Sequence, residues 1–168
     1  MTSSPPAEIP ATPSVLIVGI GNDIRNDDAV GLVVARHVAK VLGASRRNVV
    51  VKTLSAGGWQ LLDEIEGFDQ LIIIDAYYTA SCRPGRVRIL TPDDVLPIRD
   101  TDATAAHLLS VPDALRISMR FGYHTPKLLG VVAIDVGENC LSFGTGLSNP
   151  VKAAVMPAVH AVIGLIPQ

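Results

Sequence analysis

The chain has 168 residues, 48% of them hydrophobic, and a formal net charge of −2. That length favours one domain with a sizeable core, and the charge leaves no basic field for nucleic acid. Cys82 and Cys140 are the only cysteines and form no CxxC. Such usage fits a reducing cytoplasm and argues against a disulfide scaffold or a structural zinc site.

Residues 1–14, MTSSPPAEIPATPS, hold four prolines and no apolar run. They read as a disordered tail without the features of a signal peptide, which leaves 15–168 as a single α/β domain. No apolar segment reaches the ~18 residues of a membrane span. Strand one is Val15–Ile20, a continuous apolar run. The chain turns through Gly19 and Gly21, and a helix follows from about Asp28 to Leu42. Its apolar positions Val30, Val33, Val34, Val38 and Val41 recur at three- and four-residue spacing, and Gly43 stops it. A strand at about Val49–Leu54 leads through Ser55–Gly58 into a short helix, about Trp59–Ile65.

Leu71–Ala76 is the most hydrophobic strand. Its apolar run lacks alternation, as in a parallel strand covered on both faces. Pro84-Gly85 turns the chain into Arg86–Leu90, whose alternation reads as a half-exposed edge strand. A polar loop, Thr91 to Ala106, ends at His107. A helix at about Pro112–Arg120 and a buried strand, Leu128–Ile134, come next. The last helix starts near Asn149, with Pro150 favourable at its first position. It runs to about Leu165, with a kink expected at Pro157. The alternation predicts a three-layer α/β/α sandwich around a twisted, mostly parallel sheet of about five strands with an edge strand.

In such sheets ligands gather at the carboxyl ends of the strands. Asp27 and Asp28 follow strand one, and Asp75 ends strand three. The first junction is no nucleotide site. Gly19-Ile20-Gly21 continues into Asn22, Asp23 and Ile24 rather than a dinucleotide fingerprint, no P-loop Lys-Ser/Thr follows, and the acids would repel phosphate. Asp27 and Asp28 could simply complement the helix dipole, with Asn26 as N-cap, for about 0.3–1 kcal/mol each. Asp75 could simply cap the next turn. Alternatively, Asp28 and Asp75 meet across the rim, where two close carboxylates need a cation or a shared proton. A histidine from a loop would complete a site suited to nickel or zinc. His107 and His124 lie in loops, whereas His37 and His160 lie in helices. No G-x-S-x-G or H-E-x-x-H is present. Cys82 beside Arg83, and Cys140 in a polar turn, read as ordinary thiols.

The stretch GIGNDIRNDDAVG resembles the signature of the hydrogenase maturation endopeptidases, nickel-dependent peptidases that process hydrogenase large subunits. LIIIDAYYTASCRPGRVRIL, His107, and KLLGVVAID followed by GTGLSNPVKAAV continue the resemblance in register, from about Val15 to Leu165. It implies a metal site of Asp28, Asp75 and His107, which also carry catalysis. The first of these is often glutamate in the family. The implied substrate is the precursor of a nickel-containing hydrogenase large subunit. A C-terminal extension is removed from it in the cytoplasm after nickel insertion, with Ni²⁺ carried by the substrate and no organic cofactor. One departure stands out: Thr53–Gly58 carries no acid where the family usually has one. That departure motivates a second reading, a checkpoint or chaperone that binds the metallated large subunit without cutting it. A third is a small-molecule α/β hydrolase.

Overall fold

The computed structural model describes residues 14–43, 46–55, 59–78, 81, 83–96 and 110–168. Its sheet has five strands: β1 (Val15–Ile20), β2 (Val49–Leu54), β3 (Gln70–Tyr77), β4 (Val87–Leu90) and β5 (Lys127–Asp135). Their order is β2-β1-β3-β5-β4. All neighbours pair in parallel except β4, which closes one edge antiparallel to β5. The helices are α1 (Val30–Leu42), α2 (Trp59–Ile65), α3 (Pro92–Val95), α4 (Ser110–Arg120) and α5 (Asn149–Leu165).

The side-chain period of two in a strand divides the core between two faces. Val15 and Ile17 of β1, with Ile72 and Ile74 of β3, join the α1 and α5 side. Leu16, Val18 and Ile20, with Leu71 and Ile73, join the side of α2 and α4, where Val95 of α3 also packs. Both faces of the central strands are therefore dry, which explains their unbroken apolar sequences.

Two glycines set how closely α1 lies on the sheet. A Cβ on Gly31 would stand 2.0 Å from the Ile20 carbonyl oxygen and 2.7 Å from that of Ile74. One on Gly19 would stand 2.3 Å from the Gly31 oxygen and 2.5 Å from Ala35 Cβ. The first turn of α1 thus sits directly on the carboxyl ends of β1 and β3. The chain leaves β1 for β2 on one side and returns to β3 on the other, so these two ends form a topological switch point.

Several expectations need correction. The first helix does not begin at Asp28: Asn26–Ala29 form a 3-10 turn and α1 starts at Val30. Asn26 does not cap it. Its φ is +40°, and its side-chain amide donates instead to the Ser142 carbonyl at 3.1 Å. Val41 is exposed, because the turn from Val38 carries it off the buried stripe. The loop after β4 begins with α3, started by a reciprocal cap in which Asp94 Oδ2 accepts from the backbone N–H and hydroxyl of Thr91. Cys140 is buried in a second 3-10 turn, Glu138–Leu141. α5 runs through Pro157, which lies on its exposed side, so water can serve the carbonyl that the proline leaves without an N–H. Of the N-terminal tail, residues 1–13 lie outside the described residues. Ser14 is held by Asp69, whose Oδ2 accepts from the Ser14 N–H and hydroxyl, each at 2.8 Å. Among the described residues no helix is long and apolar enough to cross a membrane.

Gly31→Ala should cost about 1–3 kcal/mol or more, since two backbone oxygens must retreat. Gly164, in α5, faces open space, so Gly164→Ala should stabilise by roughly 0.5–1 kcal/mol. Urea denaturation of both variants checks the pair. A Gly31→Ala protein as stable as wild type would contradict the close approach.

Candidate active site

The loop from Gly21 to Ala29 folds back tightly on itself. The Asn22 N–H donates to the Asp28 carbonyl at 3.3 Å, and the Asp28 N–H to the Arg25 carbonyl at 2.9 Å. Gly21 allows this, because a Cβ there would stand 2.2 Å from the Asp28 oxygen. The fold-back buries both neighbouring acids, Asp27 at 1% exposure and Asp28 at 6%.

The two acids are placed differently. Asp27 Oδ1 accepts from the Ser148 N–H at 2.6 Å, at the start of α5. A carboxylate there meets the positive end of the helix dipole. The same junction carries a second set of bonds. Asn26 N–H donates to the Gly144 carbonyl, and Gly144 N–H to the Ile24 carbonyl, both at 3.0 Å. The loop after β1 and the segment before α5 are thereby sewn together beside Asp28.

Asp75 is fully buried. By strand parity it shares the face of Leu71 and Ile73, near the carboxyl end of β3. Its Oδ1 accepts from the Ala76 N–H at 2.7 Å. Its Oδ2 is buried with no hydrogen-bond partner among the described residues. Burial pushes the Asp75 carboxyl well above the usual carboxylate range; the Ala76 N–H opposes this, and the Asp28 charge raises it further. The two carboxylates therefore feel one another across the switch point. Cys140 belongs to the same neighbourhood. Burial raises its thiol, as do the charges of Asp28 and Asp27 against the opposing effect of Arg25, so it remains a neutral thiol rather than a nucleophile.

Opposite Tyr77 on the neighbouring strand, another buried acid, Asp135, is ion-paired. Asp135 Oδ1 lies 2.8 Å from Arg88 Nε, and its Oδ2 accepts from Arg88 Nη2 at 2.8 Å. The Arg88 guanidinium stands 5.0 Å from the Tyr77 ring centroid. This cluster, which the sequence reading missed, ties β3, β4 and β5 together at the rim. The Arg/Val alternation of Arg86–Leu90 was its only visible signal.

His107, expected as the third member of the site, lies outside the described residues, as do Cys82 and the glycines Gly57 and Gly58. His124 is not brought to the site. Its Nε2 lies 3.0 Å from the Phe68 carbonyl oxygen, at the amino ends of β3 and β5. His37 Nδ1 lies 2.9 Å from the Val33 carbonyl oxygen within α1, and His160 is exposed. Among the described residues no group of three His, Cys, Asp or Glu is placed to hold a metal ion. Asp28 and Asp75 are the acids that the fold brings together.

Fold and rim define an α/β protein with a buried carboxylate pair at the switch point of a mostly parallel sheet. The family model for hydrogenase maturation proteases matches residues 34–165. The chain is 31% identical over 157 residues to the hydrogenase 2 maturation protease of Escherichia coli (strain K12), with 90% of each chain covered. It is 24% identical over 170 residues to the hydrogenase expression/formation protein HupD of Rhizobium leguminosarum bv. viciae, covering 99% of this chain and 80% of that one. Among solved structures, it superposes on the hydrogenase maturating endopeptidase HybD from Escherichia coli with a TM-score of 0.71 at 25% identity, covering 90% of both chains. The NiFe-hydrogenase maturation protease HybD from Thermococcus kodakarensis gives a TM-score of 0.71 at 25% identity, covering 92% of this chain and 99% of that one. The chain belongs to the hydrogenase maturation protease family and is an endopeptidase of that α/β fold.

The Asp75 carboxyl titrates higher in the folded chain than its unfolded value of 3.8. The stability it contributes is therefore full below that unfolded value and is lost as pH rises through the folded one. In metal-free protein, Asp75→Asn should raise Tm at pH 8, each kcal/mol being worth about 2–4 °C at this chain length. The gain should shrink as the pH is lowered towards 3. A variant less stable than wild type at pH 8 in thermal melts would contradict this account.

Proposed function

We propose that Asp28, Asp75 and His107 together hold a divalent metal, and that the metal is the Ni²⁺ of a hydrogenase large-subunit precursor. The protein removes the C-terminal extension of that precursor after nickel insertion, in the cytoplasm. The observation that carries this reading is Asp75: a buried carboxylate with one oxygen unpartnered among the described residues, raised chiefly by its burial and further by the charge of Asp28. A group left so costly in the free protein fits a site completed by a cation. Two carboxylates and an imidazole form a mixed O/N donor set that suits nickel or zinc.

The nickel supplies Lewis-acid polarisation of the scissile carbonyl, or a bound water of lowered pKa. The chain's own groups do the rest. Asp28 and Asp75 present oxygen ligands from two different strand ends, so a protein-borne metal can approach the rim. One of the two carboxylates takes the proton of the attacking water. Asp75 must lose its own proton before it can bind, so affinity for the metal falls as pH is lowered. Support for the substrate comes from the relatives, which are named for the maturation or formation of hydrogenases.

The test is mass spectrometry of a nickel-loaded precursor incubated with the protein. Wild type should shorten the precursor's C-terminus. Asp28→Asn, Asp75→Asn and His107→Ala should each slow trimming by roughly 10²–10⁴-fold, the scale of a lost acid–base group. Each should also weaken Ni²⁺ binding in titration calorimetry while leaving circular dichroism unchanged. Normal trimming by all three variants would overturn the assignment, and an untouched precursor with wild type would overturn the substrate.

A further inference from the structure

Beside the carboxylate pair the surface turns apolar where an ordinary loop would be polar. Ile24 is 55% exposed, Leu141 56% and Phe143 80%. They come from two segments far apart in sequence, the loop after β1 and the segment before α5, yet they form one edge. Gly144 N–H donates to the Ile24 carbonyl, a bridge pairs Arg25 with Gly144, and the Asn26 amide donates to the Ser142 carbonyl. Phe143 is thus flanked on both sides by residues bonded to the Ile24 loop. Neither segment can leave the other without breaking that ladder. A Cβ on Gly144 would stand 2.3 Å from Asn26 Oδ1, so the glycine is what lets the segments close. The edge is built in advance, which lowers the ordering cost of binding. It also begins one tight turn from Asp28, whose N–H is held by the Arg25 carbonyl.

The charged residues of these two segments are mostly acids. Asp23, next to Ile24, and Glu138 are exposed. Glu138 and Leu141 are three apart in a 3-10 turn, so they share a side of it. Behind them lie the buried acids Asp27, Asp28 and Asp75, against one half-buried cation, Arg25. An apolar strip bordered by acids fits a polypeptide that offers apolar side chains together with a basic residue.

We infer that the strip formed by Ile24, Leu141 and Phe143, bordered by Asp23 and Glu138, is where the substrate docks. It seats an extended, apolar and basic segment of the precursor next to the bond to be cut. This inference rests on the function proposed above and adds the surface that recognises the substrate. Metal binding positions one atom of the partner, and the strip aligns the chain that flanks it.

Biolayer interferometry with a nickel-loaded large-subunit precursor that retains its extension tests the assignment. Four proteins are compared with wild type: the double variant Ile24→Ser/Phe143→Ser, Leu141→Ser, Glu138→Gln, and Phe121→Ser at the opposite rim. The double variant should raise Kd about tenfold or more, as loss of an aromatic anchor does. Leu141→Ser should raise it less. Glu138→Gln should raise Kd at low salt and have little effect at high salt, and Phe121→Ser should leave it unchanged. Melting temperatures should match wild type, since all the substituted side chains are exposed. Equal affinity of wild type and the double variant would overturn the proposal, as would wild type that does not bind. A wild-type dimer in sedimentation that the double variant abolishes would assign the strip to a second copy of the chain and overturn it too. Trimming is read in the same samples. A wild type that binds through the strip and cuts nothing refutes the endopeptidase substrate and keeps the docking surface. One that cuts normally and is indifferent to the double variant does the reverse.

Discussion

The contact on which the site depends has no side chain in it. Gly31 lets the backbone at the start of α1 rest on the carbonyl oxygens of Ile20 and Ile74, and a single methyl group there would meet both. That approach fixes the height of the turn carrying Asp28 above the ends of β1 and β3. It brings the turn close enough for the Asp28 charge to act on Asp75. Because the chain leaves β1 and β3 towards opposite sides of the sheet, their carboxyl ends are where a ligand crevice belongs in such a fold. The packing of one helix and the topology of the sheet therefore define the same place.

Within that place the two neighbouring acids divide the work. Asp27 holds the N–H that begins α5, where a negative charge is stabilised by the helix end. Asp28 sits one residue further on and reaches Asp75 electrostatically. Across the rim, Asp135 is neutralised by two contacts from Arg88, while Asp75 retains an oxygen without a partner among the described residues. Three of the four buried carboxylates, Asp27, Asp135 and Asp75, thus have three environments: a helix end, a guanidinium, and a strand end where one oxygen lacks a partner among the described residues. The last is the least favourable for folding and the most useful for chemistry.

Much of this could be read from the residues alone. β1, β2, α2 and α5 begin and end where their apolar runs and turn residues indicated, since apolar periodicity and the turn residues that bound it are local signals. The placement of Asp28 and Asp75 at the carboxyl-end rim followed from the alternation of strands and helices, whereas the strand order that makes this rim a switch point came from the structure. What stayed hidden depends on contacts distant in sequence. The 3-10 turn at Asn26–Ala29 exists because Asn26 bonds to Gly144 and Ser142, and nothing within the NDDA stretch announces those partners. The burial of Cys140 has the same origin, a polar turn pressed against that loop. α3 is legible in principle: Thr91 and Asp94 have the spacing of a reciprocal cap, inside a stretch whose composition reads as polar loop. His107 was identified by resemblance alone and lies outside the described residues.

The most direct test of the central claim is geometric. Crystals of the protein soaked in a nickel salt, with diffraction collected on both sides of the nickel absorption edge, locate the ion without reference to activity. The account predicts one anomalous peak at the switch point, within coordination distance of carboxylate oxygens from Asp28 and Asp75 and of an imidazole nitrogen from His107. A nickel peak that lacks either carboxylate, or an imidazole of His107 bound elsewhere, would contradict it.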